Sequence, residues 1–294
     1  MLHLGDLKKA ASAAPARSRG RGAEPMPDWP ARFVELAAAA RDTRLQAFYA
    51  AGAVAGDSAL KDVPMVAIDV ETTGLDPARD EIVSIGLVPM DAAGIRSSAS
   101  RYWVVRPRAE LHPESVTIHA ITHAQIEAAP DFGAIVGELL AALAGRVVVV
   151  HCREIERRFL DVALKARLGE GIEFPVIDTM ALEARLHRAP PPGFFARLFG
   201  KKPAPVSIRL ADSRERYKLP RYRAHHALTD ALATAELLQA QVAHRFAPET
   251  PLRELWCRTA CRASTLDPGA PPSCGIALDS PGPPRTCRCG IRAP

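Results

Sequence analysis

Between Trp29 and Ala55, apolar residues recur at roughly helical spacing: Phe33, Leu36, Ala37, Ala40, Leu45, Phe48 and Tyr49. This predicts one or two packing helices. The period then changes. Met65–Ile68, Glu81–Pro89 (EIVSIGLVP) and Arg101–Arg106 (RYWVVR) are β-rich runs, the last two separated by the turn signal Asp91-Ala-Ala-Gly94. Three such runs joined by short turns predict an antiparallel meander. Residues 113–143 turn helical, with an apolar face through Ile135, Leu139, Leu140 and Leu143. Arg146–Val150 (RVVVV) is continuously apolar, as a strand buried on both faces should be. It ends in His151 and leads into a helix carrying Glu156, Phe159, Leu160 and Leu164. Phe174–Ile177 predicts a further strand, ending at Asp178 and followed by a helix from Met180, and His225–Phe246 predicts the last helix. A meander followed by β-α-β-α is an α/β fold with a mixed sheet, in which ligand sites gather at strand ends.

The remaining stretches set the boundaries. Residues 1–27 read as a disordered leader, 28–62 as a helical extension, 63–248 as the main domain and 249–294 as a Pro- and Cys-rich disordered tail. Pro190–Pro205 interrupts the pattern with aromatic and basic residues among prolines, opening a basic loop over about 189–223 in which Phe194, Phe195 and Phe199 are candidates for base stacking or docking. No window approaches the ~20 apolar residues of a membrane span, and the first 30 residues lack the apolar core of a secretory signal. Five of the six cysteines fall in the tail with irregular spacing, which fits free thiols in a reducing cytoplasm better than a zinc site.

The net charge of +5 is unevenly placed. Residues 185–223 hold eleven Lys/Arg against Asp212 and Glu215, a balance of +9, so the basic surface is local. That suits a polyanion such as a single-stranded nucleic-acid backbone, with aromatics available for stacking.

The candidate chemistry starts at MVAIDVETTGLDP, Met65–Pro77. In a strand, Asp69 and Glu71 point to the same face. Two adjacent carboxylates repel unless cations sit between them, and a hard divalent ion with oxygen ligands would relieve that repulsion. Thr72, Thr73 and Gly74 add hydroxyls and a permissive backbone for a tight turn. Farther on, Glu156 opens a helix after a buried strand, and His225 stands five residues before Asp230.

Together these pieces resemble the DnaQ-like branch of the DEDD 3′→5′ exonucleases, the family of replicative proofreading subunits such as the epsilon subunit of DNA polymerase III. The resemblance covers roughly residues 64–243. Asp69–Leu75 matches D-x-E-T-T-G-L, and His225 with Asp230 matches H-x4-D, whose histidine places the chain in the DEDDh subgroup. The middle motif reads H-C-R-E-I-E-R-R-F-L over His151–Leu160, with Glu156 where the family has aspartate and Cys152 where it has asparagine. Asp161 is the alternative ligand. The resemblance implies an RNase H-like, mixed five-stranded sheet flanked by helices. It also implies two Mg²⁺ or Mn²⁺ ions held by Asp69, Glu71, Glu156 and Asp230, with His225 as general base. Thr72, Thr73, Gly74, Leu75 and His119 would contact the terminal nucleotide. His119 and His151 read equally well as structural residues, and His226 as incidental. The implied activity is 3′→5′ exonuclease action on single-stranded or frayed ends, with DNA favoured over RNA and a DNA polymerase as a possible partner. RNA or short oligonucleotides remain an alternative substrate, and a catalytically weak nucleic-acid-binding adaptor an alternative class.

Overall fold

The computed structural model describes residues 26–108, 121–187 and 206–256. Its centre is a five-stranded sheet in the order β3-β2-β1-β4-β5. The strands are β1 (Met65–Thr72), β2 (Ile82–Met90), β3 (Arg101–Val104), β4 (Val147–Val150) and β5 (Val176–Asp178). The first three form the antiparallel meander, while β4 joins β1 and β5 joins β4 in parallel. The predicted mixed sheet is therefore present. Each parallel strand that follows is reached through helical chain, as parallel pairing requires. Val66, Ala67, Ile68 and all four valines of β4 are buried, and each large aliphatic contributes about 1.5–3 kcal/mol when taken out of water.

The sheet is covered by α1 (Trp29–Ala39), α2 (Thr43–Ala50), α3 (His123–Glu127), α4 (Phe132–Leu143), α5 (Arg153–Leu168), α6 (Thr179–His187), α7 (Leu210–Arg216) and α8 (Ala227–Arg245). The helical reading of 113–143 resolves, within the described residues, into α3 and α4. Thr122 and Gln125 form a capping box that starts α3, and Asp131, just after Pro130, caps α4. α7 falls within the stretch read as a basic loop, so part of that segment is folded chain. His119 and the three phenylalanines of the loop lie outside the described residues.

α1 and α2 form the helical extension, each started by an aspartate cap, Asp28 and Asp42. Trp29, Phe33, Phe48 and Tyr49 pack as successive edge-to-face or tilted ring pairs. The turn after α5 secures the pair from below. Glu170 accepts the backbone N–H groups of Arg41 and Asp42, and Glu173 pairs with Arg32 at 2.7 Å. At the other end the chain remains structured past Pro248. Leu252, Leu255 and Trp256 are buried in the main core, and Trp256 bridges to Ile177 of β5.

α8 lies against β1 and β2. Ala227, Ala231 and Ala235 recur every four residues and are fully buried, so the helix presents its small residues along one stripe. Gly86 on β2 permits the closest approach. A Cβ there would lie 2.2 Å from the Ala227 carbonyl carbon and oxygen. This contact sets where the start of α8 meets β2, beside the neighbouring strand that carries Asp69 and Glu71.

Candidate active site

Strand pairing fixes the first half of the site. Asp69 is the register partner of Gly86, and Glu71 of Ser84. Both carboxylates therefore share the sheet face on which α8 lands. Asp230, in the first turn of α8, completes the group: ligand oxygens of Asp69, Glu71 and Asp230 all lie within 4.8 Å of one another. The consequence is electrostatic. Burial, then the charges of Glu71, Glu156 and Asp230, push the Asp69 carboxyl well above its ordinary range. Burial also raises Asp230, the negative charge of Glu71 adds to it, and the His225 N–H opposes it. Three carboxylates gathered with so little compensating positive charge are a donor set suited to a hard cation. The residues present fit a divalent metal centre.

Glu156 lies in the first turn of α5 and is buried. It is near enough to act on Asp69 by charge, yet it stands outside the tight group of three. Both Glu156 and Asp230 sit at helix N-termini, whose partial positive charge offsets some of the mutual repulsion. Asp161 takes another part. It accepts the Ile172 N–H at 3.1 Å and pairs with Lys165 at 2.6 Å, tying down the turn after α5. Five residues along a helix carry it well around the axis from Glu156.

His225 precedes α8 rather than beginning it. Its backbone is left-handed (φ 68°), and its N–H donates to Asp230 Oδ2 at 2.8 Å. Its side chain is exposed beside the carboxylates. A non-glycine residue in this conformation costs of order 1–3 kcal/mol and persists where its surroundings fix it, commonly at functional sites.

The loop after β1 is internally braced. Thr72 Oγ1 donates to the Gly74 carbonyl at 2.6 Å, and Thr73 Oγ1 donates to Asp80 at 3.1 Å. Asp80 also accepts the Asp76 N–H, and a Cβ on Gly74 would lie 2.5 Å from its carboxylate, so a larger residue there would displace the Asp80 side chain from these bonds. Thr72 and Thr73 thus shape the loop whatever else they touch. Leu75 is left half exposed next to the site.

His151 is structural. Its buried ring is hydrogen-bonded to the Thr179 hydroxyl through Nδ1 (2.8 Å) and to the Ile208 carbonyl through Nε2 (3.1 Å), and burial pushes it down to about 4. At the end of β5, Asp178 holds the starts of α5 and α6 through the N–H groups of Arg153 and Ala181. Burial raises it to about 6.

The basic segment divides on inspection. Arg214 is buried against Glu236, Arg216 binds Glu183, and Arg221 pairs with Glu215. Lys218 and Arg223 are exposed and have no ion pair among the described residues, and they lie on the strand of chain leading into His225.

Sequence reading did not single out Gly86 or Tyr102, and it took His226 as incidental. Tyr102, the register partner of Gly86, stacks on His226 with ring centroids 4.8 Å apart and an interplanar angle of 20°. A glycine inside a strand pattern signals close backbone approach, so Gly86 was detectable. The Tyr102–His226 contact joins residues too distant in the chain to be paired by pattern.

A family model described as "Exonuclease" (RNase_T) matches residues 66–238. A PolC-type DNA polymerase III of Thermotoga maritima is 31% identical over 181 residues, covering 62% of this chain but 12% of the polymerase. The DNA polymerase III epsilon subunit of Treponema pallidum is 29% identical over 182 residues, covering 62% of this chain and 78% of the subunit. The chain thus spans about an eighth of the length of the PolC-type relatives it matches. Among solved structures, the nuclease domain of 3′hExo, a DEDDh family member bound to rAMP, superimposes with TM-score 0.52 at 15% identity, covering 62% of this chain and 92% of that one. An E. coli exonuclease I–ssDNA complex gives 0.51 at 15% identity, covering 62% and 41%. These likenesses show a shared fold.

Proposed function

The chain belongs to the exonuclease family, and we propose on that premise that it is a DEDDh-type, metal-dependent 3′→5′ exonuclease releasing nucleoside monophosphates. The observation that carries the reading is the convergence of Asp69, Glu71 and Asp230 within 4.8 Å, on an Asp69 whose charge the protein alone disfavours. Those three and Glu156 would hold two Mg²⁺ or Mn²⁺ ions. Bound there, the ions supply charge neutralisation at the phosphodiester and bring a water molecule's pKa toward neutrality. The remaining work falls to the chain. His225, exposed and next to Asp230, accepts the proton of the attacking water. Leu75, half exposed at the tip of a braced loop, wedges against the terminal base, with Thr72, Thr73 and Gly74 shaping the cradle. His119 joins these contacts on sequence grounds. Lys218 and Arg223 attract the phosphates upstream of the scissile bond.

Glutamate at position 156 keeps the charge of the usual aspartate on a longer side chain. Its burial, and its effect on Asp69, support a ligand role at the edge of the cluster.

The substrate is single-stranded nucleic acid, DNA in preference to RNA. The polymerase relatives and the ssDNA-bound neighbour favour DNA, while the rAMP-bound neighbour keeps RNA in the test. The epsilon-subunit relative also favours a DNA polymerase as partner, and a cytoplasmic setting stays with the sequence reading. No helix among the described residues is long and apolar enough to cross a membrane. The exonuclease unit is assigned to about 63–256, with 28–62 as a helical brace; the Cys-rich remainder of the tail lies outside the described residues.

Digestion of 5′-labelled single-stranded DNA and RNA with Mg²⁺, Mn²⁺ or EDTA tests this. A descending ladder, abolished by EDTA and strongly reduced in Glu156→Ala, is expected. Absence of cleavage on both polymers by folded protein would favour a binding adaptor instead.

A further inference from the structure

His225 carries an exposed side chain on a left-handed backbone (φ 68°). That backbone is held from both sides. On one side Asp230 accepts its N–H at 2.8 Å. On the other stands His226, which forms the N-cap of α8 and contacts the Thr229 hydroxyl at 3.4 Å. Tyr102 lies flat on the His226 ring. Tyr102 is itself fixed by the β2–β3 ladder, directly opposite Gly86, the residue on which the first turn of α8 rests. Gly86 and Tyr102 thus form a seat for the residues immediately after His225.

We propose that Tyr102, through its stack on His226, is a positioning residue that keeps His225 in its left-handed conformation and aims the imidazole at the reacting water. The proposal rests on the reading of His225 as general base. A left-handed non-glycine residue reverts to commoner conformations unless its neighbours forbid it. Removing the stack frees His226, then His225, while the carboxylate group on β1 stays in place. Proton transfer should suffer and substrate binding should not, because placement of a catalytic group acts on the reaction step.

The test compares Tyr102→Ala, Tyr102→Phe and His226→Ala by steady-state cleavage of an oligo-dT substrate with Mn²⁺, and by amide hydrogen exchange without metal. Tyr102→Ala should lower kcat about 10-fold with KM little changed, and speed exchange at residues 225–228. Tyr102→Phe, which keeps the ring, should restore both. His226→Ala removes the stack without touching the sheet and should reproduce the alanine effect. In a His225→Ala background, Tyr102→Ala should cost nothing further. Unchanged exchange at 225–228 in both alanine variants, or a kcat loss that adds to that of His225→Ala, would overturn the proposal. A His225→Ala variant with full kcat would instead overturn the general-base reading, with exchange still deciding whether Tyr102 holds this turn.

Discussion

Two acidic sites within the described domain, at Glu183 and at Asp69, are treated in opposite ways. At Glu183 on α6, fully buried, burial pushes the pKa up. Hydrogen bonds from Gln241 (2.9 Å), Arg216 (2.6 Å) and Tyr217 (3.0 Å) outweigh that and hold it below its ordinary value. At Asp69, burial acts in the same direction, and the neighbours are Glu71, Glu156 and Asp230, which push it further up. The first cluster joins α6, α7 and α8 with every charge answered. The second gathers like charges around Asp69. Carboxylates thus serve stability in one place and, on the proposed function, a cation site in the other, and the partners each has been given tell them apart.

Substitution should separate the two most sharply. Asp69→Asn removes one of the repelling charges, so cleavage should fall by about 10³-fold or more, while the melting temperature measured in EDTA should hold or rise. Comparable losses of activity and stability would erase the distinction. Glu183→Gln should do the reverse. Leaving Arg216 without its carboxylate costs about 2–3 kcal/mol in denaturant unfolding, while the folded fraction cleaves at the wild-type rate. A Glu183→Gln protein of unchanged stability would show that this network does not bear on the fold.

The pH dependence offers a smaller but more specific contrast. Glu183 titrates lower folded than unfolded, so its contribution is complete above about 4.5 and is lost as pH falls through the depressed value. Asp69 titrates higher folded than unfolded. Its contribution is present while the group is protonated and is lost as pH rises through the raised value. Measured in EDTA from pH 4 to 8, wild-type stability relative to Asp69→Asn should therefore fall with rising pH. Relative to Glu183→Gln it should rise from the acid side. Parallel curves for the two variants would remove the electrostatic basis of the comparison.

The cation-site residues were more legible in sequence than the partnered ones. Asp69 and Glu71 announce themselves because strand periodicity places them on one face, and His225 with Asp230 because their spacing matches a known motif. The sheet was legible too, since runs such as Val147–Val150 leave few other ways to be buried. What escaped depends on contacts between distant segments. Gln241 lies 58 residues from the Glu183 it binds, and Tyr102 reaches His226 across more of the chain still. The basic balance over 185–223 overstated the exposed charge, because Arg214 and Arg216 are spent on internal partners. Helix boundaries shifted for local reasons: the left-handed backbone of His225 delays α8 to Ala227.

If the Asp69 group is a metal centre, the protein binds Mn²⁺ there without substrate. Calorimetric titration of Mn²⁺ into the full chain, without substrate, should show saturable binding that is lost in Asp69→Asn and retained in Glu183→Gln. Equal binding by wild type and Asp69→Asn, or none by folded wild type, would contradict it.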